Sequence, residues 1–115
     1  MDAFLYHITP RASWTQASAG GSYAGDTLAT EGFIHCSTRS QVLEVANRLF
    51  RGRQGLVLLV LDPGRIEDRI AWENLEGGRE LYPHVYGPIP REAVRSVVEL
   101  PAGPNGSFSL PPELD

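Results

Sequence analysis

The chain has 115 residues, a formal net charge of −4 and a pI near 5.3. That length fits one domain and leaves no room for two, and the acidic balance argues against broad electrostatic binding of nucleic acid, which needs a basic surface. Hydrophobic residues make up 42 % of the chain, as in an ordinary globular protein, yet no apolar run approaches the roughly 20 residues of a membrane span.

Met1-Asp2-Ala3-Phe4 lacks the basic segment and long apolar core of a signal peptide. Phe4 to Thr9 reads as a first strand. Thr9 can cap, and Pro10 suits the first helical position, so a short helix is expected over Pro10 to Ala19. Trp14 and Ala17 or Ser18 fall on its inner face, and Gly20-Gly21 ends it. Ser22 to Glu31 is polar and small and reads as a loop. Gly32 to Cys36 is a short strand, and Ser37 or Thr38 caps the next helix. There Val42, Val45, Ala46, Leu49 and Phe50 make one apolar stripe, with Gln41, Glu44, Arg48 and Arg51 off it.

Leu56 to Leu61 is six apolar residues between Gly55 and Asp62-Pro63-Gly64, which suits a central strand buried on both faces. Arg69 to Glu73 is a further strand, and Glu76-Gly77-Gly78 is a turn. Glu80 to Tyr86 is another strand, where Pro83 predicts an edge position or a bulge. Pro90 starts a single helical turn, and Ser96 to Leu100 is the last strand. Residues 101–115 form a C-terminal tail after a single domain over 1–100, with Phe108 and Leu110 as anchors. Five or six strands and two main helices without regular βαβ alternation make an α+β fold. The lone Cys36 has no disulfide partner in the chain, so a reducing, cytoplasmic setting is expected.

The chemistry concentrates in three histidines, the only ones present. His7, His35 and His84 each stand inside a short apolar or aromatic strand, where a side chain is pinned to one face. Imidazole can donate, accept, ligate a metal or titrate near neutrality. Two readings follow: one shared site, or three separately hydrogen-bonded core histidines. Alternation puts Leu5, His7 and Thr9 on one face against Tyr6 and Ile8, and Phe33, His35 and Ser37 on one face against Ile34 and Cys36. Tyr82, His84 and Tyr86 share a face that suits a flat base as well as it suits ordinary packing. Glu73, beside Trp72, is either a pocket-wall carboxylate able to stabilise a developing cation or a solvated turn residue. Cys36 faces away from His35 and reads as a small buried apolar residue.

No phosphate loop, dinucleotide fingerprint, CxxC pair or HExxH helix is present. Zinc held by His7, His35, His84 and Glu73 is an alternative, but no two histidines have the close spacing of common sites, so no metal is expected.

Leu5-Tyr6-His7-Ile8-Thr9, Trp14, Glu31-Gly32-Phe33-Ile34-His35-Cys36-Ser37, Gln41, Ala46-Asn47 and Tyr82-Pro83-His84-Val85-Tyr86-Gly87-Pro88 together resemble the DUF952 family of small bacterial proteins, over roughly residues 4 to 100. That family in turn resembles the ADP-ribosyltransferase superfamily, and within it the RNA 2′-phosphotransferases. Tyr6-His7-Ile8-Thr9, Trp14 and Gly32-Phe33-Ile34-His35 follow the order of their first strand, next helix and histidine strand, with Ile8 where those enzymes carry glycine.

The resemblance implies a split, strongly bent sheet clasping NAD or ADP-ribose. It implies that His7 holds the adenosine-side ribose and that His35, with Ser37, borders the nicotinamide ribose. Glu73 takes the acidic position, so Glu73 and His35 are the catalytic candidates and His7, Thr9 and Ser37 binding candidates; His84, which has no counterpart in the superfamily's three-residue site, and Tyr86 join them from the shared aromatic face. The implied activity is ADP-ribosyl transfer or cleavage of the nicotinamide glycosidic bond through an oxocarbenium-like state, on a small-molecule nucleotide. The phosphotransferases also carry a further N-terminal domain and a basic RNA-facing surface. Neither is expected of this acidic chain, which argues against RNA as substrate. The rival function is a nucleotide-binding module without chemistry.

Overall fold

The computed structural model describes residues 4–25, 27–74 and 78–114. In chain order the elements are β1 (Leu5–Pro10), α1 (Arg11–Ser18), β2 (Ser22–Tyr23), α2 (Thr27–Glu31), β3 (Ile34–His35), α3 (Arg39–Leu49), β4 (Leu56–Leu61), β5 (Ile70–Glu73), β6 (Tyr82–Val85), β7 (Ile89–Pro90) and β8 (Val94–Glu99), with short 3-10 turns between and after them. The fold is α+β, and the sheets are antiparallel, in the orders β1-β4-β8, β2-β7 and β3-β6-β5.

β4 organises the core. All six of its residues are buried, because it pairs with β1 on one side and β8 on the other while both faces are covered. Val57, Leu59 and Leu61 point into one apolar cluster with Leu5, Tyr23, Ile34, Cys36, Val85 and Ile89. Leu56, Leu58 and Val60 point into a second with Tyr6, Ile8, Val42, Ala46, Val98 and Phe108. The period of two along a strand thus divides the core into two halves. Trp14 and Ala17 of α1 pack on the first half, as their spacing predicts. The tail returns to the second half at Phe108, whose backbone exchanges hydrogen bonds with the Asn47 amide (2.7 and 3.3 Å). Leu110 is exposed and lies outside both core clusters.

The two three-stranded sheets touch at one bridge, where Tyr6 and Ser37 exchange both backbone hydrogen bonds at 2.8 Å. Beyond it β1 and β3 part. The carbonyl of His35, which faces β1, accepts instead from His7 Nδ1 at 2.5 Å. A histidine ring therefore fills the gap that a continuing strand would close, and it satisfies a backbone acceptor there.

Several expectations need correction. The segment from Ser22 to Glu31 is not a bare loop: it contains β2 and α2, so the described helices are three rather than two. Thr9 does not cap α1; Pro10 is the N-cap residue, and the Thr9 hydroxyl accepts from the Tyr23 phenol at 2.8 Å. Thr38, not Ser37, is the N-cap residue of α3, and Gln41 Oε1 accepts the Thr38 N–H at 3.0 Å. Gln41 is buried, with its amide given to Glu80 Oε2 and the Leu81 carbonyl (2.9 and 2.8 Å), whereas Leu49 of the expected stripe is exposed.

Pro83 lies neither on an edge nor in a bulge. β6 is the middle strand of its sheet. Pro83 is tolerated because its carbonyl still accepts from Cys36 N–H at 3.0 Å, while the ladder bond its missing N–H would give falls where β3 ends and the chain turns toward β1. The turn expected at Glu76-Gly77-Gly78 falls mainly outside the described residues. Among the described residues, no helix is long and apolar enough to cross a membrane.

Candidate functional site

The strand register assembles the site. His35 on β3 lies directly opposite His84 on β6, and Glu73 on β5 lies opposite Tyr82, two residues from His84. Paired and diagonal neighbours share a sheet face, so Phe33, His35, Glu73, Tyr82, His84 and Tyr86 emerge together. Phe33 stacks on the His84 ring at 4.3 Å, tilts against His35 at 4.8 Å and against Tyr86 at 5.3 Å. The His35 and His84 rings meet edge-on at 5.2 Å. His7 reaches the same place through the split between the sheets.

The result is a cavity of about 490 Å³, within the range of small-molecule sites. His7, Thr9, His35, Ser37, Glu73 and His84 all line it. Tyr86 stands behind Glu73 and reaches the site through it. The opposite wall is α3 and the turn after it, with Val45, Leu49 and Phe50 giving apolar surface and Arg48 and Arg53 giving positive charge.

Glu73 is the electrostatic centre. Its Oε1 accepts from the Tyr86 hydroxyl at 2.6 Å and lies 3.0 Å from His84 Nδ1. The Tyr86 hydrogen bond first, and the His84 one second, hold the Glu73 carboxyl below its ordinary pKa. The same bond raises the Tyr86 phenol. The Arg69 guanidinium covers the other side of the Tyr86 ring at 4.3 Å. Glu73 is therefore ionised at neutral pH on a partly buried wall. His35 Nε2 lies 3.2 Å from Glu31 Oε1 near the rim.

His7 is held from both ends. Nδ1 donates to the His35 carbonyl, and Nε2 lies 2.8 Å from the Tyr23 hydroxyl, which also meets Thr9. His7 and Thr9 thus point together, joined by one phenol. A ribose contact at His7 requires exchange of one of these partners. Cys36 touches the cavity but packs into the core, and burial pushes its thiol up to about 12, so it holds no thiolate. Among the described residues no three His, Cys, Asp or Glu side chains are grouped to hold a metal ion.

Tyr23, Arg48, Arg53, Leu49 and Asn74 line the cavity without having been expected there. Tyr23 had one readable signal: it is the only aromatic residue in the polar stretch from Ser22 to Glu31. The others come from packing that sequence periodicity does not encode.

A family model described as a protein of unknown function, DUF952, matches residues 8–97. The chain belongs to the DUF952 family. The crystal structure of CC0527 from Caulobacter crescentus is similar, with 33 % identity, a TM-score of 0.83, and 93 % of this chain and 94 % of that one covered. A double mutant of CC0527 gives the same values. The solution structure of CC0527 matches with a TM-score of 0.79 at 33 % identity, over 90 % of each chain. No curated protein matches the chain.

Proposed function

We propose that this DUF952 protein binds NAD or ADP-ribose in the cavity and cleaves the nicotinamide glycosidic bond, passing the ADP-ribosyl group to a small acceptor. The observation that carries the reading is the ionised Glu73, fixed by Tyr86 and His84 on the wall that also bears His35. A preorganised carboxylate there would stabilise positive charge developing on a ribose, a charge present mainly in the transition state. In this reading the split between β1 and β3, with His7 and Ser37 at the parting point, is where the sheet would clasp the ligand. Tyr82, half-buried on the cavity wall, offers a flat surface for a base. Arg48 and Arg53, at the α3 wall, are placed to meet a diphosphate.

A second reading is a nucleotide-binding module without turnover. It is favoured by His7, whose two ring nitrogens already have protein partners.

Nicotinamide release and calorimetric titration with ADP-ribose separate the two. The catalytic reading expects release by the wild type, a loss of about 10²–10³ in rate for Glu73→Gln, and near-normal ADP-ribose affinity in that variant. Equal turnover in wild type and Glu73→Gln removes Glu73 from the mechanism. No turnover in wild type, with ADP-ribose binding abolished by His7→Ala, selects the module.

A further inference from the structure

We propose that His84 is the proton acceptor of this site: its Nε2 takes the proton from the hydroxyl or water that attacks the ribose, and Glu73 positions it. The proposal rests on the NAD-cleaving reading above.

The tautomer follows from the partners. An ionised carboxylate can only accept, so the contact between Glu73 Oε1 and His84 Nδ1 at 3.0 Å places the proton on Nδ1. A neutral ring then carries its lone pair on Nε2. Among the described residues Nε2 has no hydrogen-bond partner, yet no buried side-chain nitrogen or oxygen is left unsatisfied among them. Nε2 is thus open to the cavity that His84 lines. The ring itself is fixed: the side chain is only 5 % exposed, Phe33 stacks on it with 24° between planes, and β6 holds its backbone in mid-sheet. A carboxylate holding one imidazole nitrogen while the other faces a pocket is the arrangement a general base requires.

In the reaction the C1′–N bond to nicotinamide breaks and nicotinamide leaves with the electron pair. The acceptor oxygen bonds C1′, and its proton passes to His84 Nε2. Charge balances, because the positive charge lost from the nicotinamide ring reappears as the imidazolium, next to the Glu73 carboxylate. The acceptor is therefore a hydroxyl compound or water, not a group lacking a transferable proton.

Two experiments test this. Nitrogen-15 spectra of the wild-type histidine rings read the tautomer without any ligand: His84 is expected with Nδ1 protonated and Nε2 bare, and the reverse tautomer overturns the dyad. His84→Asn keeps a donor toward Glu73 and removes the basic ring nitrogen. Nicotinamide release at saturating NAD should fall by about 10²–10⁴-fold, far more than ADP-ribose affinity does. In His84→Ala, added imidazole should restore part of it, which a merely structural role would not allow. Wild-type rates in His84→Asn, or no rescue in a folded His84→Ala, overturn the proposal while leaving the NAD reading intact. Absence of nicotinamide release from the wild type overturns both the NAD reading and the proton-acceptor role.

Discussion

Replacing Tyr23 by Phe tests how the split between β1 and β3 is held. The phenol is 2 % exposed and its hydroxyl serves two partners at 2.8 Å, Thr9 Oγ1 and His7 Nε2. The ring packing against His7 and Trp14 survives the change. What is lost is one buried donor and acceptor, leaving Thr9, itself 2 % exposed, without that partner. Such a loss costs about 1–3 kcal/mol. The lower half, about 1–2 kcal/mol, applies here because Thr9 loses only an accepted bond and keeps its own hydroxyl proton to donate. At about 2.1 cal/mol/K per residue, 115 residues give an unfolding entropy of about 240 cal/mol/K, so each 1 kcal/mol moves Tm by about 4 °C. Thermal melts followed by circular dichroism at neutral pH should show a Tm lower by about 4–8 °C. Urea unfolding should show a lower midpoint at unchanged slope. A shift below about 1 °C would mean that the phenol makes no net bond, and that the position of His7 is set by something other than Tyr23.

The Glu73 carboxyl is held below its ordinary value near 4.5 in the folded protein. Its contribution to stability is therefore present above that unfolded value and is lost as pH falls through the folded one. The Tm difference between wild type and Glu73→Gln should be largest near neutrality and shrink toward about pH 3; a difference independent of pH would refute the charge-based account. Cys36, fully buried with its thiol pushed up to about 12, should resist a disulfide reagent in the native protein and react on unfolding. Stoichiometric native labelling at neutral pH would show that the β3 end opens.

Local pattern determined much of this protein. The unbroken apolar run from Leu56 to Leu61 suited a strand covered on both faces, because six residues are short for a helix and no polar position exists to meet water. Alternation along Phe33-Ile34-His35-Cys36-Ser37 separated the cavity side from the core side, since a strand turns successive side chains to opposite faces. The same rule placed His84 with Tyr82 and Tyr86. What alternation could not supply was register and neighbour. Whether His35 stands opposite His84, and whether Glu73 falls one diagonal from it, depends on pairings between segments far apart in the chain. A slip of one residue would have sent Glu73 to the other face. Pro83 misled for the same reason: a missing N–H marks an edge only if a neighbour needs it, and here β3 leaves before it does. Tyr23 lay in a segment too polar and too short to show a period, so only the tertiary structure could bring its hydroxyl between His7 and Thr9. Residue types thus fixed which side chains were available for chemistry, and the long-range pairing of short strands decided which of them meet.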